Sequence, residues 1–132
     1  MSSLYRLTEE EEMIRDTVRK FASEVVAPHV AEMDEHSKMK PELIEEFFNL
    51  GIMGIEIPEA YEGMGGNFFQ SILVIEELAK VCSATAVLVD VQNTLCINAF
   101  IRWGSDEIKA KYLPQLATKK VGAYALSEAG SG

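Results

Sequence analysis

Residues 121–132 read Val-Gly-Ala-Tyr-Ala-Leu-Ser-Glu-Ala-Gly-Ser-Gly, a short apolar strand running into a hydroxyl, a carboxylate and a glycine-rich loop. Small residues placed there let the main chain approach a flat cofactor or a pyrophosphate, because glycine has no β-carbon to hold a ligand away. Other conspicuous side chains carry less chemistry. His29 and His36 stand at no metal-ligand spacing to a cysteine or to a carboxylate pair, so no metal site is expected. Cys82 and Cys96 read as buried thiols. Glu76 and Glu77 are adjacent on a helix and point in different directions, which excludes a paired acid and base. Lys119 and Lys120 make too small a basic patch to hold a phosphate, and Trp103 near a helix end reads as a packing residue.

The elements that must position residues 121–132 are helices. Thr8 can cap a first helix whose opening turn holds Glu9, Glu10, Glu11 and Glu12, four carboxylates at the positive end of the dipole. Ile14, Val18, Phe21, Ala22 and Val25 recur at helical spacing, and Pro28 predicts a kink or an early end. Pro41 suits the first position of a second helix, with Leu43, Ile44, Phe47 and Phe48 inward and Gly51 placed to stop it. After an extended link over 52–58 and a turn-rich loop over 59–66, a third helix is predicted over 68–81. Ile72, Ile75, Leu78 and Ala79 are expected inward, and Glu76, Glu77 and Lys80 outward.

The fourth helix, over 84–103, is apolar nearly all round, which predicts burial on several sides. Asp90, Gln92, Asn93, Thr94 and Asn98 sit inside it and require hydrogen-bond partners or a wet cavity. Two readings fit: a ligand-pocket wall, or a central helix with satisfied polar groups. Gly104 ends it and Ser105 caps a fifth helix containing Pro114. The expected fold class is all-α, about five helices over residues 1–120, with 121–132 as the start of a β domain whose first strand is incipient over 122–126.

Composition removes several function classes. The chain has 132 residues, 48% hydrophobic and 25% charged, which describes one globular domain. A net charge of −9 disfavours nucleic acid or an anionic membrane as partner, while leaving room for a phosphate held by main-chain N–H groups. Two cysteines give no disulfide framework. Polar residues interrupt the longest apolar stretches, so no membrane insertion is expected.

Five blocks in order resemble the amino-terminal domain of the acyl-CoA dehydrogenase family. They are Leu7-Thr8-Glu9-Glu10; Leu50-Gly51-Ile52-Met53-Gly54-Ile55 before Pro58-Glu59-Ala60-Tyr61; Val74-Ile75-Glu76-Glu77-Leu78-Ala79-Lys80; Lys111-Tyr112-Leu113-Pro114; and Tyr124 through Gly132. Within the family, Ile75 to Lys80 together with Val91-Gln92-Asn93-Thr94-Leu95 is most similar to the short/branched-chain members, which act on 2-methylbutyryl-CoA. The resemblance implies an FAD-dependent oxidation of acyl-CoA to trans-2-enoyl-CoA, with electrons passed to electron-transferring flavoprotein, in a homotetramer. It implies the mitochondrial matrix in a eukaryote and the cytoplasm otherwise.

By the same resemblance, Tyr124, Ala125, Leu126, Ser127, Glu128, Ala129, Gly130, Ser131 and Gly132 lie against FAD, with Leu126 and Ser127 at the polar edge of the ring. Val87, Leu88 and Val91 wall the acyl pocket. The resemblance implies a β domain and a further helical bundle beyond Gly132, the bundle supplying the catalytic glutamate. The chain by itself is therefore expected to be inactive and not to retain FAD. The alternative is a non-catalytic helical unit from a shortened isoform, working as an interaction or structural domain. Two departures stand out: Ala129 where many relatives have proline, and Glu62 where glycine is usual. If position 62 needs a positive φ, glutamate costs about 1 kcal/mol there.

Overall fold

A computed structural model describes residues 6–131. Thr8 caps α1 (Glu9–Phe21) as expected: its side chain accepts from Glu11 N at 3.2 Å while the Glu11 carboxylate accepts from Thr8 N at 2.7 Å. The expected break at Pro28 does not occur. The chain passes through a π-helical turn (Ala22–Val26) and a 3₁₀ turn (Ala27–His29) into α2 (Val30–His36). Widening and then tightening the helix absorbs a residue that can neither donate a hydrogen bond nor fit under a regular turn. Ser37, left-handed at φ 49°, ends the run.

Pro41 opens α3 (Pro41–Asn49), which Gly51 at φ +82° terminates. α4 (Phe68–Ala79) starts from a second reciprocal cap, between Asn67 and Gln70. The fourth helical rod comprises α5 (Ser83–Asp90), a π-helical stretch (Val91–Ile97) and α6 (Asn98–Trp103), and α7 (Asp106–Thr118) follows from the Ser105 cap. Five helical rods therefore stand where five helices were predicted. The core has two parts. Val18, Ala22, Val26, Leu43, Phe47, Val74 and Leu78 centre the first, and Ile57, Ile97, Leu113 and Leu116 the second.

Residues 83–103 are long and apolar enough to cross a membrane by length and composition, with a mean hydropathy of 1.4. In this fold they pack against α4 and α7, and the amides of Gln92 and Asn93 are fully buried and bonded to main chain outside the helix. Gln92 and Asn93 thus have the hydrogen-bond partners that a buried mid-helix amide requires.

Four side chains depart from expectation, the first being Ile72, placed inward by its spacing but 38% exposed. Trp103 is 85% exposed, since α6 ends at this residue and none of the described residues covers it. Ala79 faces solvent. Glu77 is only 3% exposed, because α1 packs on α4 and brings Arg19 to it. Its carboxylate accepts from Arg19 Nε at 3.0 Å and Nη2 at 3.1 Å, and from Lys80 Nζ at 2.7 Å. The hydrogen bond from Arg19 holds the Glu77 carboxyl below its ordinary 4.5, against the upward push of burial and with help from Lys80. A depressed folded-state value stabilises above the unfolded value, and that contribution is lost as pH falls through the folded one. Glu77→Gln is thus expected to lower stability by about 1 kcal/mol at neutral pH, both cations being half-exposed and screened. Urea titrations of wild type and variant should converge as the pH is taken well below 4.5.

Candidate functional site

The segment predicted to meet a ligand leaves α7 in a defined way. Lys119 N and Lys120 N both donate to Gln115 O, at 3.0 and 2.7 Å, closing the helix. Gln92 then takes over: its Nε2 donates to Leu116 O at 2.9 Å and Lys120 O at 3.1 Å, and its Oε1 accepts from Gly122 N at 2.6 Å. Gly122 lies so close to the fourth rod that a β-carbon there would overlap Cys96 Sγ. Cys96 is buried, and burial pushes its thiol up in pKa, so it stands as a protonated packing group rather than a nucleophile.

Beyond Gly122 the chain is extended and exposed. Tyr124 and Leu126 are 48% and 74% exposed, and the main-chain groups of residues 124–127 have no hydrogen-bond partner among the described residues. The incipient strand expected over 122–126 has no partner among the described residues, and a segment becomes a strand only when a neighbouring strand pairs with it. The one pairing present is an antiparallel bridge between Glu128 and Ser131, with N···O distances of 3.3 and 3.0 Å, which turns Ala129 and Gly130 outward into a tight loop. A β-carbon on Gly130 would meet nothing within 4 Å, so packing inside this chain does not demand glycine there. Gly132 lies outside the described residues.

The predicted acyl wall sits on the same helical rod. Val87 is 57% exposed and Val91 half-buried, whereas Leu88 packs against the first core cluster. The Gln92 contact ties the fourth rod to the 116–122 stretch, two residues before Tyr124. A cleft of about 490 Å³ between α2 and α3, bordered by His29, Glu32, His36 and Lys40, contains none of the predicted site residues. One ion pair stands in it, with Lys40 Nζ 2.6 Å from Glu32 Oε2. Gln92 is the site residue whose role composition and spacing did not reveal; its signal was a fully buried amide inside an apolar helix.

Comparison with known proteins places these features in context. Residues 8–120 match the family of acyl-CoA dehydrogenase N-terminal domains. The short/branched chain specific acyl-CoA dehydrogenase of Bos taurus mitochondria is 49% identical over 132 residues, 100% of this chain and 31% of that protein. A probable short/branched chain specific acyl-CoA dehydrogenase of Dictyostelium discoideum is 49% identical over 126 residues, 96% of this chain and 30% of that protein. A solved structure bearing the name of the electron transferring flavoprotein of Acidaminococcus fermentans superposes with a TM-score of 0.91 at 36% identity, covering 100% of this chain and 34% of that one. The chain thus spans about a third of the length of the proteins it matches.

Proposed function

The chain belongs to the acyl-CoA dehydrogenase family, as its amino-terminal domain, and from that premise we propose that it forms the helical wall and the flavin-edge segment of an FAD-dependent oxidation of a short or branched acyl-CoA. The observation that carries this reading is the unpartnered main chain of residues 124–127, presented beside the Ser127 hydroxyl and followed by a loop with open space around Gly130. Free N–H and C=O groups in an extended row suit the hydrogen-bonding edge of an isoalloxazine, and a small-residue loop suits a pyrophosphate. Bound there, FAD would supply the hydride acceptor.

This chain's own contribution is positional. Main-chain donors at Leu126 and Ser127 would face the edge where negative charge accumulates, which is electrostatic preorganisation. Val87, Leu88 and Val91 would exclude water and limit acyl length. In this reading residues 1–120 are the helical domain and 121–132 open a β domain, while the α-proton goes to a glutamate outside these 132 residues. Electron-transferring flavoprotein as acceptor, a homotetramer, and the mitochondrial matrix in a eukaryote or the cytoplasm otherwise complete the proposal. The mitochondrial naming of the bovine relative supports the compartment.

Two substitutions in the full-length protein test it. Ser127→Ala should weaken FAD retention by about 1–3 kcal/mol by leaving a buried acceptor on the ring unsatisfied, without reordering substrates. Val87→Phe should leave flavin content unchanged and depress kcat/KM for hexanoyl-CoA relative to butyryl-CoA by at least about tenfold. Flavin absorbance at unchanged yield in the first variant, or an unchanged substrate order in the second, would remove that residue from the site.

A further inference from the structure

We propose that Gln92 is the positioning residue of the flavin-edge segment: its buried amide fixes where residues 124–127 stand against the helical wall. The inference rests on the functional reading above. Gln92 is fully buried in an apolar helix, where an aliphatic side chain would avoid the desolvation of an amide. It has instead three main-chain partners, all within residues 116–122. Leu116 O is one of the last carbonyls of α7, which the helix cannot satisfy itself, and Lys120 O lies just past the helix end.

Gly122 N, held at 2.6 Å, is the last main-chain donor tied to the helical body before the unpartnered row begins. Its lack of a β-carbon is part of the same contact, since Cys96 and Gln92 occupy the space one would fill. Tyr124 is two residues on, no more than about 7 Å of extended chain. Gly122 therefore fixes the point from which the unpartnered row sets out, within that distance of the flavin edge. The adjacent amide, Asn93, is equally buried yet bonds only to Ile52, Ile55 and Val89. Burial in this helix thus does not by itself direct an amide to the 116–122 stretch.

The test uses the full-length protein stripped of flavin and titrated with FAD, comparing wild type, Gln92→Leu, Gly122→Ala and a core control, Val26→Ala. Amide exchange over residues 122–127 and the thermal midpoint are followed in each. Gln92→Leu and Gly122→Ala are expected to raise the FAD dissociation constant at least about tenfold and to speed exchange over 122–127, leaving exchange in α1 and α4 unchanged. Val26→Ala should lower the midpoint with no such rise. If Gln92→Leu does not fold, Gly122→Ala carries the comparison. Tight FAD binding by either site variant, or equal weakening by Val26→Ala, overturns the proposal. A wild-type protein that takes up no FAD overturns the functional reading instead, and unchanged exchange over 122–127 in Gln92→Leu then also removes the clamp.

Discussion

Gly63→Ala is expected to destabilise the protein by at least about 3 kcal/mol, a large share of the about 5–15 kcal/mol that holds an ordinary domain folded. The loop over 58–66 closes against the link over 54–57 through a row of main-chain bonds: Met64 N to Gly54 O, Gly65 N to Ile57 O and Gly66 N to Ile55 O, at 3.0, 2.8 and 2.8 Å. Gly63 stands at the closest approach, where a β-carbon would overlap the Ile57 carbonyl oxygen and Cβ. No rotamer relieves a clash with main chain. Relief would have to open the row, and Ile57 is fully buried in the second core cluster. The neighbouring position runs the other way. Glu62 is left-handed at φ 66°, so Glu62→Gly should raise stability by about 1 kcal/mol. Urea midpoints of the two variants should therefore move in opposite directions from wild type; a neutral Gly63→Ala would show that the loop opens at little cost.

Glu62 also marks how far sequence reading reached. The family pattern singled out that position as one where glycine is usual, and the backbone there is left-handed. Helix starts were legible for the same local reason: Thr8, Pro41 and Ser105 act within one turn of themselves, so the residue type carries the geometry. The Asn67 and Gln70 cap is local in the same way, its three-residue spacing being that of a capping box. Glu77 was not legible. Its neighbours make it look like solvent-facing charge, and the residue that draws it inward, Arg19, is 58 positions away. The incipient strand over 122–126 is a different case, because pairing depends on a partner that local composition does not supply.

The candidate site was half legible by the same criterion. The run from Tyr124 to Gly130 advertises a close main-chain approach through its small residues, and the structure leaves the main chain of residues 124–127 open among the described residues. The mid-helix amides announced only that partners must exist. Which amide serves which neighbour follows from the fourth rod lying between the 52–57 link on one side and the end of α7 on the other. Adjacent residues on a helix face different neighbours, so Gln92 and Asn93 divide the two.

Asn93 is where that division has its largest energetic consequence. Its Oδ1 accepts from Ile55 N at 2.9 Å, and its Nδ2 donates to Ile52 O at 2.8 Å and Val89 O at 3.0 Å, all buried. Asn93→Leu leaves Ile55 N–H and Ile52 C=O without partners inside the core, and about 2–4 kcal/mol of stability should be lost. Asn93→Asp separates donor from acceptor. The introduced carboxylate can still accept from Ile55 N but would face two carbonyl oxygens, an arrangement that disfavours charge and raises the folded pKa of that carboxyl. Its penalty develops as pH rises above the unfolded value of an aspartate and disappears below it, so the variant should gain stability relative to wild type as the solution is acidified. Glu77→Gln also closes on wild type in acid, but for the opposite reason: there wild type loses a stabilising charge, whereas here the variant sheds a destabilising one. Urea titrations of Asn93→Leu and Asn93→Asp from neutral to acidic pH distinguish the two behaviours. An Asn93→Leu deficit that stays constant relative to wild type, beside an Asn93→Asp deficit that shrinks, is the expected result; parallel deficits would mean that Ile52 O does not depend on the Asn93 amide.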